Sequence, residues 1–203
     1  ENIIYPGFNK TLSELNALAK VSKKSCEIVD LTEIEWVRDV LRHRVEEIGP
    51  YDIKFRKPSE EEIQFVSTIV GADIDMDELK NNFHKNKRII GITSGKGGVG
   101  KSTITSLLGI AFDELGKKVG IMDSDIWGYS VPKILGAKFP PIPFNERIFP
   151  SRINNLNVIS MDYFVKQDEA VIWRGPMLHK AIEQFLFEVL WHDIDILLID
   201  MPP

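Results

Sequence analysis

A glycine-rich segment at residues 94–103 constrains the fold of this 203-residue chain more than any other feature. It fits the pattern G-x-x-x-x-G-K-[ST], in which a tight loop surrounds phosphate groups. The apolar run at residues 89–93 before it is typical of a buried strand, and residues 104–112 after it indicate a helix that ends near Leu115 and Gly116. This order of strand, loop and helix predicts a nucleoside triphosphate site.

The residues of the loop have different expected tasks. Glycines lack Cβ atoms, so the backbone can turn tightly and aim its N–H groups at phosphate oxygens. Lys101 adds a positive charge between the phosphates, and the Ser102 hydroxyl is placed to ligate Mg²⁺. The expected nucleotide-binding residues are Gly95, Lys96, Gly97, Gly98, Val99, Gly100, Lys101, Ser102 and Thr103.

Two later apolar runs end in carboxylates, Asp123 with Asp125 in one case and Asp200 in the other. Ligands of open α/β sheets bind at the carboxyl ends of strands, so these side chains are expected beside the phosphates. Asp200 has the form of a carboxylate that helps to hold Mg²⁺. One of Asp123 and Asp125 can orient a metal-bound water and the other the attacking water. A solvated turn or a helix N-cap fits this pair equally well.

Lys96 is a second lysine in a loop that needs only one. It could reach a nucleotide held by a second subunit, as an arginine finger does. A lysine that simply faces solvent is the alternative, and a single sequence leaves both open.

Composition narrows the classes of partner. The formal net charge of -5 argues against a protein that coats nucleic acid, which needs a basic face. No apolar run approaches the length of a membrane span. We therefore expect neither nucleic acid nor membrane as a partner. Cys26 is the single cysteine, which excludes an intrachain disulfide and fits a reducing compartment.

The chain is expected to have two domains. Residues 1–70 predict a small α+β domain, residues 71–87 a polar connector, and residues 88–203 a P-loop domain with a doubly wound, mostly parallel α/β sheet. In the P-loop domain, strands are expected near 88–93, 118–123, 156–161 and 194–200, and helices near 101–115 and 176–191. The chain opens on Glu1 and stops soon after the last strand, so we expect a longer native protein.

Two helix starts in the first domain have the sequence of a capping box. Thr32 with Glu35 predicts one, and Ser59 with Glu62 predicts the other. Strands are expected at residues 25–31 and near Tyr51 to Phe55.

Four motifs together resemble the deviant P-loop ATPases related to MinD and ParA, and among them the Mrp-type iron–sulfur cluster carriers. The motifs lie at residues 95–103, 123–130, 171–177 and 199–203, and the resemblance covers residues 88–203. Tyr129 stands where the family usually has a proline, which predicts altered stiffness of that loop. The first domain is similar to a small domain of other cluster-assembly factors, but lacks their cysteine at the helix start.

The resemblance implies a homodimeric, cytoplasmic, Mg²⁺-dependent ATPase that carries iron–sulfur clusters to apoproteins, with slow turnover. It implies that Lys96 contacts nucleotide across the dimer, that Asp125 positions the attacking water, and that Asp200 supports the metal through water. The expected catalytic residues are Asp125, Lys96 and Lys101, and the expected metal site is Ser102, Asp123 and Asp200. The family's Cys-x-x-Cys cluster ligands are expected beyond Pro203.

Two other functions fit the same motifs. One is a positioning ATPase of the MinD or ParA kind, which acts on membrane or DNA when dimeric. The other is a nucleotide-gated scaffold without useful hydrolysis.

Overall fold

The computed structural model describes residues 2–83, 85, 87–125, 128–164, 175–191 and 194–203. The chain divides into two compact units. The first unit contains Glu1–Ile74 and Ile142–Arg147, and the second contains Asp75–Pro141 and Ile148–Pro203.

The first unit is a small α+β structure. A central sheet has the strand order β3-β4-β5, in which β3 and β4 are antiparallel and β4 and β5 are parallel. Its elements up to residue 74 are β1 (Ile4–Tyr5), β2 (Lys10–Thr11), β3 (Leu18–Val21), β4 (Ser25–Val29), α1 (Glu35–Glu46), β5 (Asp52–Arg56) and α2 (Glu60–Val70). Both predicted strands are present as β4 and β5. Buried apolar side chains such as Tyr5, Ile28 and Leu41 form the core of this unit.

One predicted capping box of this unit is confirmed. The Ser59 hydroxyl accepts from the Glu62 N–H, and the Glu62 carboxylate accepts from the Ser59 N–H at 2.8 Å. The Arg56 guanidinium donates to both oxygens of the same carboxylate, at 2.6 and 2.8 Å. Helix α2 therefore begins where its sequence predicts, and a bidentate ion pair stabilises its first turn.

The capping box predicted at Thr32 is wrong. Helix α1 begins at Glu35 after an N-cap at Ile34 that makes no side-chain cap bond. Asp30 instead accepts from the N–H groups of Thr32 and Glu33, and Glu33 has a φ of 55°. The turn built on Asp30 thus keeps Glu33 out of helical conformation, and the helix begins only at Glu35.

The second unit contains the P-loop sheet. Its elements are α3 (Met76–Asn82), β6 (Arg88–Ile92), α4 (Lys101–Glu114), β7 (Val119–Asp123), α5 (Val131–Leu135), β10 (Ser151–Ile153), β11 (Leu156–Ser160), a 3₁₀ turn (Met161–Tyr163), α6 (Gly175–Phe187) and β12 (Ile196–Asp200). Between α5 and β10 in the chain lie two short strands: β8 (Ile142–Phe144), which belongs to the first unit, and β9 (Arg147–Phe149), in whose first residue the first unit ends. The strand order of the main sheet is β10-β11-β7-β12-β6, and all its pairs are parallel except β10 with β11.

Side chains alternate between the two faces of this sheet. Ile121 and Leu198 belong to the apolar cluster against which side chains of α4 and α5 pack. Met122 and Leu197 belong to the opposite cluster, which includes Phe185 of α6. Helices therefore cover both faces, and the predicted doubly wound, mostly parallel α/β sheet is confirmed.

One helix end differs from the sequence prediction. Helix α6 ends at Phe187, well before residue 191, because the backbone of Ile148 pairs with Glu188 and Leu190 at 3.0 and 2.9 Å. Helix α3 lies within residues 71–87, and its N-cap Asp75 accepts from two backbone N–H groups. Within the described residues, no helix has the length and apolarity needed to cross a bilayer.

Replacing Glu62 by Gln is expected to lower the free energy of unfolding at pH 7 by about 1–2 kcal/mol, because the charge-assisted bonds to Arg56 are weakened. The Arg56 guanidinium and the Ser59 N–H lower the pKa of Glu62 from 4.5 to about 2. The carboxylate therefore stabilises the fold fully above pH 4.5, and this contribution is lost as the pH falls towards 2. Urea unfolding across this range measures the difference.

The matched control for this prediction is Glu61→Gln, which neutralises an exposed carboxylate in the same first turn of α2. It is expected to change the free energy of unfolding by at most about 0.5 kcal/mol. A Glu62→Gln effect that stays constant from pH 7 down to acid would contradict the assignment of this stability to the ion pair.

Candidate nucleotide-binding site

The glycine-rich loop joins the end of β6 to the start of α4 and is open on its glycine side. Gly98 and Gly100 have φ values of 72° and 93°, a backbone region that side chains with Cβ atoms disfavour. A Cβ built on Gly95, Gly97, Gly98 or Gly100 would meet no atom within 4 Å. The loop therefore has glycines that allow its backbone to turn tightly, and it has the free space that a bound phosphate requires.

Lys101, the first residue of α4, buries its ammonium group beside two carboxylates. Only 6% of the side chain is exposed, and Nζ lies 3.0 Å from Asp200 Oδ1 and 3.4 Å from Asp125 Oδ2. Neither contact has the angles of a hydrogen bond, so within the described structure the buried Nζ makes ion pairs but no hydrogen bond. An ammonium with unused donors at the end of an open glycine loop fits a phosphate oxygen.

Asp200 ends strand β12 and is fully buried. Its Oδ2 accepts from the Ser102 hydroxyl at 2.6 Å, and its Oδ1 accepts from the Thr105 hydroxyl at 2.9 Å. Its carbonyl accepts from both the N–H and the hydroxyl of Ser124, at 3.0 and 2.8 Å. One carboxylate thus links the expected phosphate lysine to the expected metal-binding serine. Hard oxygen donors of this kind, few in number and completed by phosphate and water, suit Mg²⁺.

Asp123 ends the neighbouring strand β7, and its Cα lies opposite that of Asp200. Its carboxylate accepts from the N–H groups of Ser130 and Val131, at 3.1 and 3.2 Å, and from the Ser160 hydroxyl at 3.2 Å. The N–H of Asp125 is 3.3 Å away. Asp123 therefore holds the chain at the start of α5, although the N-cap residue of that helix is Ser130.

Burial of Asp123 raises its pKa to about 6, and the charge of Asp200 acts in the same direction. The backbone N–H groups and the Ser160 hydroxyl lower the pKa and limit the shift. Two adjacent carboxylates in a buried site repel each other, so each requires its own donors.

Asp125 is 7% exposed and faces Lys101. A Cβ built on Gly128 would come within 3.1 Å of Asp125 Oδ2, so a side chain at residue 128 would press on this carboxylate. Tyr129 packs against the apolar cluster that includes Met122. Of the motif at residues 123–130, Ile126 and Trp127 lie outside the described residues, as do residues 171–174 of the third motif.

The remaining predicted loop residues are exposed. Lys96, Val99 and Thr103 all face solvent, and the Lys96 carbonyl accepts from the Ser94 hydroxyl at 3.0 Å. Lys96 makes no ion pair within the described part of the chain. An exposed side chain agrees both with a contact to the nucleotide of a second subunit and with a lysine that simply faces solvent.

Two residues of the site were not expected from the sequence. Thr105 and Ser124 both hold Asp200, the first through its carboxylate and the second through its carbonyl. The position of Thr105 four residues after Lys101 places the two on one face of α4, which was a usable signal. Nothing local marks Ser124, because its partner is on another strand.

The described residues contain no group of three or more His, Cys, Asp or Glu side chains arranged to hold a metal ion by themselves.

Comparisons with known proteins point to one family. Residues 85–203 match the family described as ParA, NUBPL iron-transfer P-loop NTPase. The iron–sulfur cluster carrier protein of Mycobacterium leprae is 46% identical over 116 residues, which cover 57% of this chain and 30% of that protein. The iron–sulfur cluster carrier protein of Helicobacter pylori is 30% identical over 217 aligned residues, which cover 100% of this chain and 56% of that protein. The chain thus spans little more than half the length of such relatives.

A solved structure gives the same picture for the fold. The nucleotide-binding protein of Archaeoglobus fulgidus, in complex with ADP, aligns with a TM-score of 0.51 and 32% identity. The alignment covers 64% of this chain and 50% of that chain. These matches confirm the resemblance carried by the four motifs.

Replacing Lys101 by Met is expected to lower the free energy of unfolding of the nucleotide-free protein by about 3 kcal/mol, because two buried carboxylates lose their countercharge. Urea unfolding at pH 7.5 measures this loss.

The control is Lys117→Met, which removes an exposed cation just after the same helix. We expect it to change the free energy of unfolding by less than about 0.5 kcal/mol. Equal effects of the two substitutions would show that Lys101 does not neutralise this cluster.

Proposed function

Since this chain belongs to the ParA family of NUBPL-type iron-transfer P-loop NTPases, we propose that it binds and hydrolyses ATP with Mg²⁺ as a homodimer and delivers iron–sulfur clusters to apoproteins. The observation that carries the nucleotide part of the proposal is the buried ammonium of Lys101, which faces Asp125 and Asp200 at the end of an open glycine loop. The cluster part rests on the family.

In this function, Lys101 and the loop amides bind the phosphates, and the Ser102 hydroxyl with Asp200 holds the metal, directly or through water. The metal supplies Lewis-acid neutralisation of phosphate charge. Asp123 serves as a positioning residue, because its carboxylate already accepts from the start of α5 and from Ser160.

Asp125 is assigned to the attacking water. Its carboxylate is buried beside Lys101, so it lies close to the position proposed for the terminal phosphate. A carboxylate there can orient a water molecule and accept a hydrogen bond from it. Few other groups of the described site can take part in chemistry, so we expect slow turnover.

Lys96 is assigned to the nucleotide of the second subunit. Its side chain is exposed, whereas Lys101 of the same loop is buried. The two lysines can therefore contact the phosphates of different nucleotides. A cation supplied across an interface stabilises transition-state charge in the manner of an arginine finger.

The iron–sulfur cluster is cargo in this proposal. The nucleotide state would order or release the loop at residues 123–130, near the phosphates, and so control loading and delivery of the cluster. We place this activity in the cytoplasm, following the family resemblance.

The whole proposal is tested on the full-length protein. Anaerobic reconstitution with iron and sulfide, followed by mixing with an apo-ferredoxin, should give absorption of a cluster on the acceptor, and the rate should depend on ATP. Nucleotide binding without cluster uptake, together with ATP-dependent binding to anionic vesicles or DNA, would overturn the carrier function in favour of a positioning ATPase.

Asp125→Asn is expected to lower kcat for ATP hydrolysis about 100-fold and to change KM by less than about threefold, because shape is kept while the basic oxygen is lost. Steady-state phosphate release measures both constants. Asp113→Asn, near the other end of α4, is the control and should hydrolyse ATP like the unmodified protein. Unchanged phosphate release from Asp125→Asn would support a nucleotide-gated scaffold.

A mixing experiment tests the role of Lys96. Lys96→Ala and Asp125→Asn proteins should each hydrolyse ATP poorly, and a one-to-one mixture should recover about a quarter of full activity, because half of the dimers regain one complete site. No recovery after subunit exchange, verified by two affinity tags on the mixed dimer, would show that Lys96 acts within its own subunit.

A further inference from the structure

Thr105 has an unexpected contact with the site. It lies on α4 one turn after Lys101, and its side chain is completely buried. Its Oγ1 is 2.9 Å from Asp200 Oδ1 and 3.0 Å from the Lys101 carbonyl. A hydroxyl has a single proton to donate, and a carboxylate is the stronger acceptor of the two. The proton of Thr105 therefore stabilises one particular orientation of Asp200.

Three side chains contact the carboxylate of Asp200 in the described structure. Ser102 donates to Oδ2, Thr105 donates to Oδ1, and the ammonium of Lys101 is ion-paired with Oδ1. Under the proposed function, Lys101 also binds phosphate and Ser102 also binds the metal. Thr105 is assigned neither contact, because its side chain is completely buried in the described structure.

We propose that Thr105 is a positioning residue for the metal site: it keeps Asp200 correctly oriented when Lys101 and Ser102 engage the magnesium nucleotide. This inference rests on the proposed function and adds a residue outside the phosphate-binding motif. It predicts that Thr105 contributes to the affinity for Mg²⁺, since groups that orient a metal-binding carboxylate affect metal affinity about 10- to 100-fold.

A purely structural role predicts something different. Hydroxyls of helical Ser and Thr often donate to the carbonyl four residues earlier, and loss of such a bond affects only folding stability. Among the described residues, the Ser106 hydroxyl makes only this kind of bond: it donates to the Ser102 carbonyl at 2.8 Å. It is buried on the same helix, so Ser106→Ala is a matched control for the helical part of the Thr105 contact.

The experiment measures binding of a fluorescent ATP analogue by full-length protein, first in EDTA and then across a Mg²⁺ titration. For Thr105→Val, we expect metal-free affinity within about twofold of the unmodified protein and a half-saturating Mg²⁺ concentration raised about tenfold or more. Thr105→Ser restores the hydroxyl and should return the Mg²⁺ dependence to within about threefold. Ser106→Ala should leave it unchanged. If Thr105→Val does not fold, as judged by circular dichroism, Thr105→Ala takes its place.

The outcomes separate this inference from the proposed function. If the unmodified protein binds no nucleotide, the proposed function fails and the inference with it. If the unmodified protein shows Mg²⁺-enhanced binding and Thr105→Val shows the same enhancement, the inference alone is overturned. A shift for Ser106→Ala as large as that for Thr105→Val would also overturn it, because the effect would then come from helix packing.

Discussion

A buried positive charge is the constraint on which this site depends. An ammonium removed from water costs several kcal/mol unless carboxylates compensate it, and Lys101 is almost completely enclosed. Its partners come from distant parts of the sequence: Asp200 ends β12, and Asp125 follows β7. Lys101 can therefore be buried only when helix α4 and both strand ends are in place, so its two ion pairs stabilise the packing of α4 against this part of the sheet.

The strand order provides those ends. Strand β12 lies between β6 and β7, all parallel, so Asp200 is paired with Ile92 on one side and Asp123 on the other. The same strand order brings the carboxylates of Asp123 and Asp200 together, and their repulsion is offset in two ways. Asp200 accepts from hydroxyls of α4 and pairs with Lys101, whereas Asp123 accepts from the start of α5 and has a raised pKa.

The sequence predicted the parts of this arrangement that have local causes. Apolar runs gave the four parallel strands, the glycine loop gave the start of α4, and Ser59 gave the start of α2. The start of α1 was mispredicted because the Asp30 side chain competes for the backbone there. The spacing from Lys101 places Thr105 on the face of α4 that carries the site, but it does not identify Asp200 as the partner, since Asp200 is 95 residues away and only the strand order brings the two together. The roles of Lys96 and Asp125 remain predictions.

The contacts of Asp200 give a physical reason for metal dependence in the proposed function. In the described structure, this carboxylate accepts a hydrogen bond from the Ser102 hydroxyl and forms an ion pair with the Lys101 ammonium. These are the two groups that the proposal assigns to the metal and to phosphate. Nucleotide binding is then an exchange of partners for these groups. As Lys101 turns to phosphate, Asp200 loses its countercharge while still buried, which is unfavourable unless another cation takes that place. Under the proposed function, a divalent cation beside Ser102 would replace that countercharge, so charge balance would couple tight nucleotide binding to magnesium.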